Sequence, residues 1–174
     1  LVGKGYPNPD LCGAGVAFKL AWAIARQLSE SDRVKPEFRD FLLDATCLAA
    51  LGSVADVVPL TGENRVLAKF GLQGLSACKL TGIRALLDSA KLGEEKKINS
   101  EHVGFWLAPR LNAAGRMGHA QLAAELLTDA DEKRAREIAI YLDEQNRGRQ
   151  ALERRILKEA LTKIEAENLA SDTR

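Results

Sequence analysis

The chain has 174 residues, of which 46% are hydrophobic, and its 25 basic and 24 acidic side chains give a formal net charge of +1. This composition is typical of a globular protein and excludes an extended disordered chain. Because the charges balance, a nucleic acid would have to bind a local basic cluster. No apolar run approaches about 18 residues and no signal-peptide pattern opens the sequence, so we expect no membrane span and a cytoplasmic protein.

The three cysteines, Cys12, Cys47 and Cys78, are far apart and form no C-x-x-C pair. An odd number of widely spaced cysteines is typical of reduced, buried thiols in a protein of a reducing compartment. We therefore expect neither a disulfide framework nor a zinc site.

The first half of the chain contains two predicted helices after an opening loop, LVGKGYPNPD. The segment GAGVAFKLAWAIARQLSE has apolar residues at helical spacing, which predicts a well-buried helix. These residues are Val16, Leu20, Ile24 and Leu28. A second helix is expected to begin at Pro36, a favourable first-turn residue, and to end at Gly52.

The next segment, SVADVVPL, is short and β-branched and is the best strand candidate of the sequence. Two short helices, ENRVLAKFGLQGL and GIRALLDSAKL, follow it, and a polar connector then ends at an N-cap, Asn99 or Ser100. The last helix is expected to begin at Asp129 or Asp131 and to run to about Asn168, with Gly148 as its weak point. The chain is therefore predicted to be mainly α, and any sheet is expected mostly upstream of residue 1.

The stretch LAPRLNAAGRMG, residues 107–118, combines two arginines with small residues and glycines. Arginine's planar fork suits phosphate, and small residues let a ligand approach the backbone, so Arg110, Asn112 and Arg116 are candidate phosphate contacts. Gly115 and Gly118 would leave backbone N–H groups free to face an anion. The alternative is that the arginines bond helix-end carbonyls and fix a loop.

Four segments together resemble the RecJ single-strand-specific DNA exonucleases of the DHH phosphoesterase superfamily. They are YPNPDLCGAGVAFKL, LAALGSVADVVPLTGENRVL, GFWLAPRLNAAGRMG and NRGRQALERRILKEA. They occur in the same order as in the family, and the resemblance extends over nearly the whole chain. The resemblance implies an α/β DHH domain and a 5′-to-3′ exonuclease of DNA repair and recombination that acts on single-stranded DNA. It also implies that Mn²⁺ or Mg²⁺, held by aspartates and a histidine, activates water against a phosphodiester.

The resemblance further implies how the chain is divided. Residues 1–130 would form the C-terminal part of the catalytic DHH domain, and residues 131–174 a long helix that leads to a second, DHHA1 domain. His102 and His119 are not in an aspartate-histidine-histidine triplet, so we leave both out of the metal site. The name-giving motif is then expected upstream, the second domain downstream, and the 174-residue chain alone is expected to be inactive.

Asp56 matches the fourth-motif aspartate of the family and is the predicted catalytic and metal-binding residue. In the apolar surroundings of GSVADVVPL, a carboxylate needs a cation or hydrogen bonds to offset its burial. The alternative is that Asp56 caps the following turn or pairs with an arginine. Two other functions stay open at this stage: a DHH-type phosphatase for short oligonucleotides or dinucleotides, and a non-catalytic helical scaffold.

Overall fold

A computed structural model describes residues 5–31, 33–116 and 119–166, and these residues contain seven α-helices, one π-helical segment and no β-strand. The α-helices are α1 (Gly13–Ser29), α2 (Pro36–Ala55), α3 (Gly62–Leu75), α4 (Thr81–Ser89), α5 (Ala108–Arg116), α6 (Ala120–Thr128) and α7 (Glu132–Ala166). The π-helical segment, His102–Leu107, runs directly into α5. The prediction of a mainly α chain is confirmed.

Several helix boundaries follow the sequence signals. Pro36 opens α2 at its first turn. The Asn99 side chain accepts a bond from the His102 amide at 2.9 Å, and the Asp131 side chain accepts one from the Arg134 amide at 2.8 Å. Each bond satisfies an amide that has no partner within its own helix, which is the role of an N-cap.

The strand prediction for SVADVVPL is wrong. Residues Ser53 to Ala55 form the last turn of α2, and a loop follows them. The β-branched composition of this segment was the reason for the prediction, but helix α2 continues because its last turn packs into the core. Ser53 is fully buried and donates its hydroxyl to the Ala49 carbonyl at 2.7 Å.

The main core lies among the C-terminal half of α2, the short helices α3 to α6 and the first half of α7. Its completely buried side chains include Leu75, Leu86, Val103 and Leu142. Helix α1 packs mainly on α2, and a small second cluster of Phe18, Ala49 and Leu67 lies there. Cys12, Cys47 and Cys78 are buried free thiols, as expected.

Two glycines permit helices to approach each other closely. A Cβ atom on Gly71 of α3 would lie 2.3 Å from the Thr46 carbonyl oxygen and 2.4 Å from the Ala50 Cβ of α2. A Cβ on Gly82 of α4 would lie 1.6 Å from the Leu126 carbonyl oxygen of α6. The backbone positions on both sides are fixed by packing, so no side chain fits at either site.

The prediction that α1 is well buried through its apolar stripe is wrong. Val16, Leu20, Ile24 and Leu28 are 41%, 62%, 48% and 56% exposed, and α1 instead turns Phe18 and Ala25 toward α2. Helix α7 has a similar surface along its second half. Leu152, Ile156 and Ile164 are exposed, whereas Ile138 and Leu142 in the first half are buried. Both exposed stripes are apolar surfaces that the described residues leave uncovered.

Helix α7 runs through Gly148 without a break, and residues 167–174, including the predicted end near Asn168, lie outside the described part of the chain. Among the described helices, none is both long and apolar enough to cross a membrane.

We predict opposite effects of an added methyl group at two helical glycines. Gly71→Ala should lower the free energy of unfolding by about 1–3 kcal/mol, because the methyl has no space between α3 and α2. Gly148→Ala is the matched control, since its methyl would meet nothing within 4 Å, and it should raise stability by about 0.5–1 kcal/mol. Urea denaturation followed by circular dichroism measures both. Equal effects would contradict the close approach of α2 and α3.

Candidate functional site

Asp56 lies at the C-terminal end of α2, where it is the C-cap residue and is exposed. Its backbone amide donates to the Gly52 carbonyl at 2.9 Å. The expectation of an apolar environment around Asp56 is therefore wrong within the described residues. The carboxylate is available to a ligand or to another part of a larger protein.

The chain leaves α2 through a Schellman motif around Asp56. The Val58 amide donates to the Ser53 carbonyl at 3.3 Å, and the Val57 amide donates to the Val54 carbonyl at 3.2 Å. These are the two bonds that define this helix ending, and the residue between them adopts the left-handed conformation. Val57 occupies that position with φ of 55°, where glycine is usual.

A buried asparagine holds the loop that follows Asp56. Asn64, at the start of α3, is 1% exposed, and its amide nitrogen donates to the Pro59 carbonyl at 3.1 Å and to the Asp10 carbonyl at 2.9 Å. Its side-chain oxygen accepts a bond from Asn8 at 3.1 Å. The loop between α2 and α3 is thereby tied to the N-terminal loop.

Glu63 connects the same two loops on the outer side. It pairs with Lys19 of α1 at 2.6 Å and accepts a bond from the Tyr6 hydroxyl at 3.1 Å. The hydrogen bond from Lys19, with further bonds from Tyr6 and Asn8, holds the pKa of the Glu63 carboxyl below its usual value, and the same pair raises the pKa of Lys19. Sequence analysis missed Lys19 and Tyr6 as members of this network because they lie 44 and 57 residues from Glu63.

The stretch LAPRLNAAGRMG is helical from Leu107 to Arg116, and residues 117–118, including Gly118, lie outside the described part of the chain. Positions 112 and 116 of α5 are four residues apart and therefore share a helix face, whereas position 110 lies on another face. Asn112 is exposed. Arg116 is the last residue of α5, and its side chain also lies outside the described part of the structure.

Arg110 is engaged inside the protein. Its guanidinium bonds the Trp106 carbonyl, donates to the carbonyl of Ser89 at the end of α4 at 3.5 Å, and pairs with Asp143 of α7 at 2.7 Å. Only 14% of its side chain is exposed, and no hydrogen-bond partner among the described atoms faces its buried Nε. These contacts favour the alternative role of a structural arginine at helix ends, and a phosphate contact by Arg110 stays a prediction.

The Asp143 carboxylate forms ion pairs with two arginines. Its second carboxylate oxygen pairs with Arg147 at 2.6 Å, and only 11% of the Asp143 side chain is exposed, whereas 70% of Arg147 is exposed. Asp143 neutralises the charge of Arg110. The exposed guanidinium of Arg147 is then the net positive charge of this cluster, and it lies at the surface. The spacing of 33 residues between Arg110 and Asp143 gave no sequence signal for this pair.

Two aromatic side chains next to α5 are more exposed than a core position allows. Trp106 is 43% exposed and Phe105 is 74% exposed, and Trp22 of α1 is similarly exposed, at 41%. Exposed aromatic rings are stacking surfaces for single-stranded bases as well as contact surfaces for protein. Phe105 and Trp106 both lie in the π-helical segment His102–Leu107, which leads into α5.

The described residues do not build a metal centre by themselves, because they bring together no group of three histidine, cysteine or acidic side chains suited to a metal ion. A hard divalent cation takes about six oxygen ligands, so the exposed carboxylate of Asp56 fits only as one ligand of a site completed from elsewhere. His102 and His119 have aromatic neighbours instead, with ring centroids 5.4 Å from Trp106 and 5.8 Å from Tyr141.

Comparison with curated proteins finds similar chains in several bacteria. The chain is 40% identical over 164 residues to the single-stranded-DNA-specific exonuclease RecJ of Bacillus subtilis, covering 94% of this chain and 19% of the relative. It is 41% identical to the Haemophilus influenzae RecJ and 38% identical to the Escherichia coli RecJ, covering 90% and 97% of this chain and 27% and 30% of those relatives. The chain thus spans less than a third of their length. No protein-family model matches it.

Solved structures agree with the sequence comparison. A crystal structure of RecJ in complex with Mn²⁺ from Thermus thermophilus superposes with a TM-score of 0.74 at 38% identity, covering 89% of this chain and 22% of that chain. A structure of exonuclease RecJ bound to manganese gives a TM-score of 0.73 and covers 90% of this chain and 38% of that chain. A Mg²⁺ complex of the Thermus protein matches equally well, with a TM-score of 0.74.

We predict that the ion pair between α5 and α7 is a stabilising contact. Arg110→Ala should lower the free energy of unfolding by about 1.5–3 kcal/mol, because hydrogen bonds to a poorly exposed carboxylate are lost. Asp143→Ala should do the same, and the double variant should lose less than the sum of the two, since the interaction can be removed only once. Chemical denaturation measures the cycle.

Arg154→Ala is the matched control, because Arg154 is an exposed arginine of α7, and it should leave stability nearly unchanged. Strict additivity of the Arg110 and Asp143 variants would contradict a direct interaction.

Proposed function

Because this chain is homologous over most of its length to a segment of the RecJ single-stranded-DNA-specific exonucleases, we propose that it is part of a metal-dependent exonuclease that degrades single-stranded DNA from 5′ to 3′ in DNA repair and recombination. The observation that carries the proposal is the agreement of 40% sequence identity with a TM-score of 0.74 to a solved RecJ. In this proposal the enzyme is a phosphodiester hydrolase, and the 174-residue chain alone is inactive.

Asp56 is the residue of this chain that we assign to the reaction. It would be one carboxylate ligand of Mn²⁺ or Mg²⁺, and the other ligands would come from parts of the polypeptide outside this chain. A divalent cation, when bound, would lower the pKa of its bound water and so provide the nucleophile that phosphodiester hydrolysis needs at neutral pH. The exposure of Asp56 at the end of α2 supports this role, because a shared site requires a carboxylate that faces outward. The Asn64 contacts hold the loop beside it in one position.

We assign DNA binding to α5 and its surroundings. Asn112 and Arg116 share one helix face and would seat a phosphate, and the exposed rings of Phe105 and Trp106 would support neighbouring bases. Arg110 remains a substrate-binding candidate, but its bonds to Asp143 and two carbonyls make positioning of α5 its better-supported contribution.

The partner of this chain would be the rest of the RecJ polypeptide. Residues 1–130 would belong to the DHH catalytic domain, and α7 would carry the chain toward a DHHA1 domain. The exposed apolar stripes of α1 and of the second half of α7 support this arrangement, because contiguous exposed apolar faces are typical of surfaces that are covered in a larger protein.

We predict that Asp56→Asn removes activity without unfolding the protein. In a complete RecJ polypeptide that contains this chain, the change keeps the shape of the side chain and removes the charge that would hold the cation. Exonuclease activity on single-stranded DNA with Mn²⁺ should fall by orders of magnitude, while the melting temperature should hold or rise. The control is Asp129→Asn, at the exposed end of α6. Loss of folding with intact specific activity would instead favour a purely structural role for Asp56.

We predict that the salt dependence of single-stranded DNA affinity distinguishes charged from uncharged contacts on α5. Arg116→Ala should flatten the log–log slope of single-stranded DNA affinity against salt concentration by roughly 0.7, the value for one phosphate contact. Arg116→Lys should restore part of the slope but less of the turnover, because a point charge does not reproduce the bidentate fork. Asn112→Ala is the matched uncharged variant and should weaken binding at every salt concentration without changing the slope.

Arg110→Ala decides the role of that arginine in the same titration. A flattened slope would support phosphate contact, whereas an unchanged slope with a lowered melting temperature would support the structural role. Unchanged slopes for both arginines would contradict the assignment of α5 to DNA binding. Preference of the complete enzyme for di- to pentanucleotides over long DNA would favour a phosphatase of the same superfamily.

A further inference from the structure

Val57 has an unfavourable backbone conformation directly after Asp56. Among the described residues, Glu30, Val57 and Lys91 are the non-glycine residues with positive φ, at 51°, 55° and 59°. The left-handed region costs any residue with a Cβ atom, and a β-branched residue most of all. Val57 is the β-branched member of this group, so the turn after Asp56 carries the larger conformational cost.

Lys91 provides an internal comparison, because it occupies the same position of the same motif. The Lys91 amide donates to the Asp88 carbonyl at 2.9 Å, and the Leu92 amide donates to the Leu87 carbonyl at 2.8 Å, so α4 also ends in a Schellman motif. There the residue after the left-handed position, Leu92, is 2% exposed and packs in the core. The cost at Lys91 is thus offset by packing within this chain.

At the equivalent position after Val57, Val58 is only partly buried, so packing within the described residues offsets the cost at Val57 less than the cost at Lys91. The Val57 side chain is 86% exposed, the highest fraction among the large apolar side chains that the structure describes. Glycine would fit the same turn without strain, and valine gains no burial there from this chain. The methyl groups of Val57 are therefore exposed at the surface, one residue after Asp56.

Building on the proposed function, we infer that Val57 is a positioning residue for Asp56 and that its side chain packs against an apolar surface of the RecJ polypeptide outside this chain. The relatives have ample sequence for this contact, since the chain covers only 22% of the solved Thermus RecJ. Packing on both methyl groups would offset the strain and hold the turn in one conformation. The orientation of Asp56 at the end of α2 would then be fixed only in the complete protein.

The first part of the test compares melting temperatures in two contexts. In the 174-residue chain, Val57→Gly and Lys91→Gly should both raise the melting temperature, by about 2–8 °C, because each removes left-handed strain. In a complete RecJ polypeptide that contains this chain, Lys91→Gly should raise it again. Val57→Gly and Val57→Ala should lower it there, because the contact of the methyl groups is lost, and Val57→Ile should keep it.

The second part measures exonuclease activity of the complete polypeptide at a fixed Mn²⁺ concentration. Val57→Gly and Val57→Ala should reduce activity several-fold, and Val57→Ile should retain it, whereas Lys91→Gly should not change it. A rise in melting temperature for Val57→Gly that is the same in both contexts overturns the inference, and so does full activity of Val57→Ala.

The Asp56→Asn variant separates this inference from the proposed function. If Asp56→Asn abolishes activity while Val57→Ala leaves both melting temperature and activity unchanged, the proposed function stands and the role of Val57 is wrong. If Asp56→Asn retains full activity, the proposed function of Asp56 fails, whatever the melting temperatures of the Val57 variants show.

Discussion

The buried pair of Arg110 and Asp143 is the interaction on which the arrangement of the C-terminal helices depends. It joins α5 to α7, and the same guanidinium reaches the carbonyl at the end of α4. A buried ion pair is retained only when both charges are well bonded, and here Asp143 also receives Arg147. This contact links α5, and with it the face that carries Asn112 and position 116, to α7 and to the end of α4. Arg110, a phosphate-ligand candidate in the sequence, thus makes its described bonds inside the protein.

The N-terminal half is organised differently: the proposed metal ligand, Asp56, lies at the surface, and the asparagine that holds the loop after it is buried. Asn64 is almost completely enclosed and fixes the loop after α2, whereas Asp56 is exposed at its beginning. The apolar stripe of α1 and the side chain of Val57 are exposed as well. In the proposed enzyme all these exposed groups would meet the rest of the RecJ polypeptide, which would explain how one carboxylate serves a site that this chain does not complete.

The sequence by itself determined the helical class, most helix boundaries and the homology. These depend on short-range rules: apolar residues recur every three or four positions, Pro36 suits a first turn, and Asn99 and Asp131 bond amides three residues ahead. Such signals lie within one or two turns of the chain and do not require knowledge of what surrounds the helix. The four RecJ-like segments are likewise contiguous in sequence and were recognisable without the fold.

Only the tertiary structure decided what each helix face meets. The periodicity around Leu20 identifies an apolar face but does not say whether another element covers it, and in this structure none of the described residues does so. The β-branched residues around Asp56 favour a strand locally, but packing of Ser53 into the core extends α2 to Ala55. The partner of Arg110 lies 33 residues away, and a contact over that distance depends on the path of the whole chain rather than on local propensity.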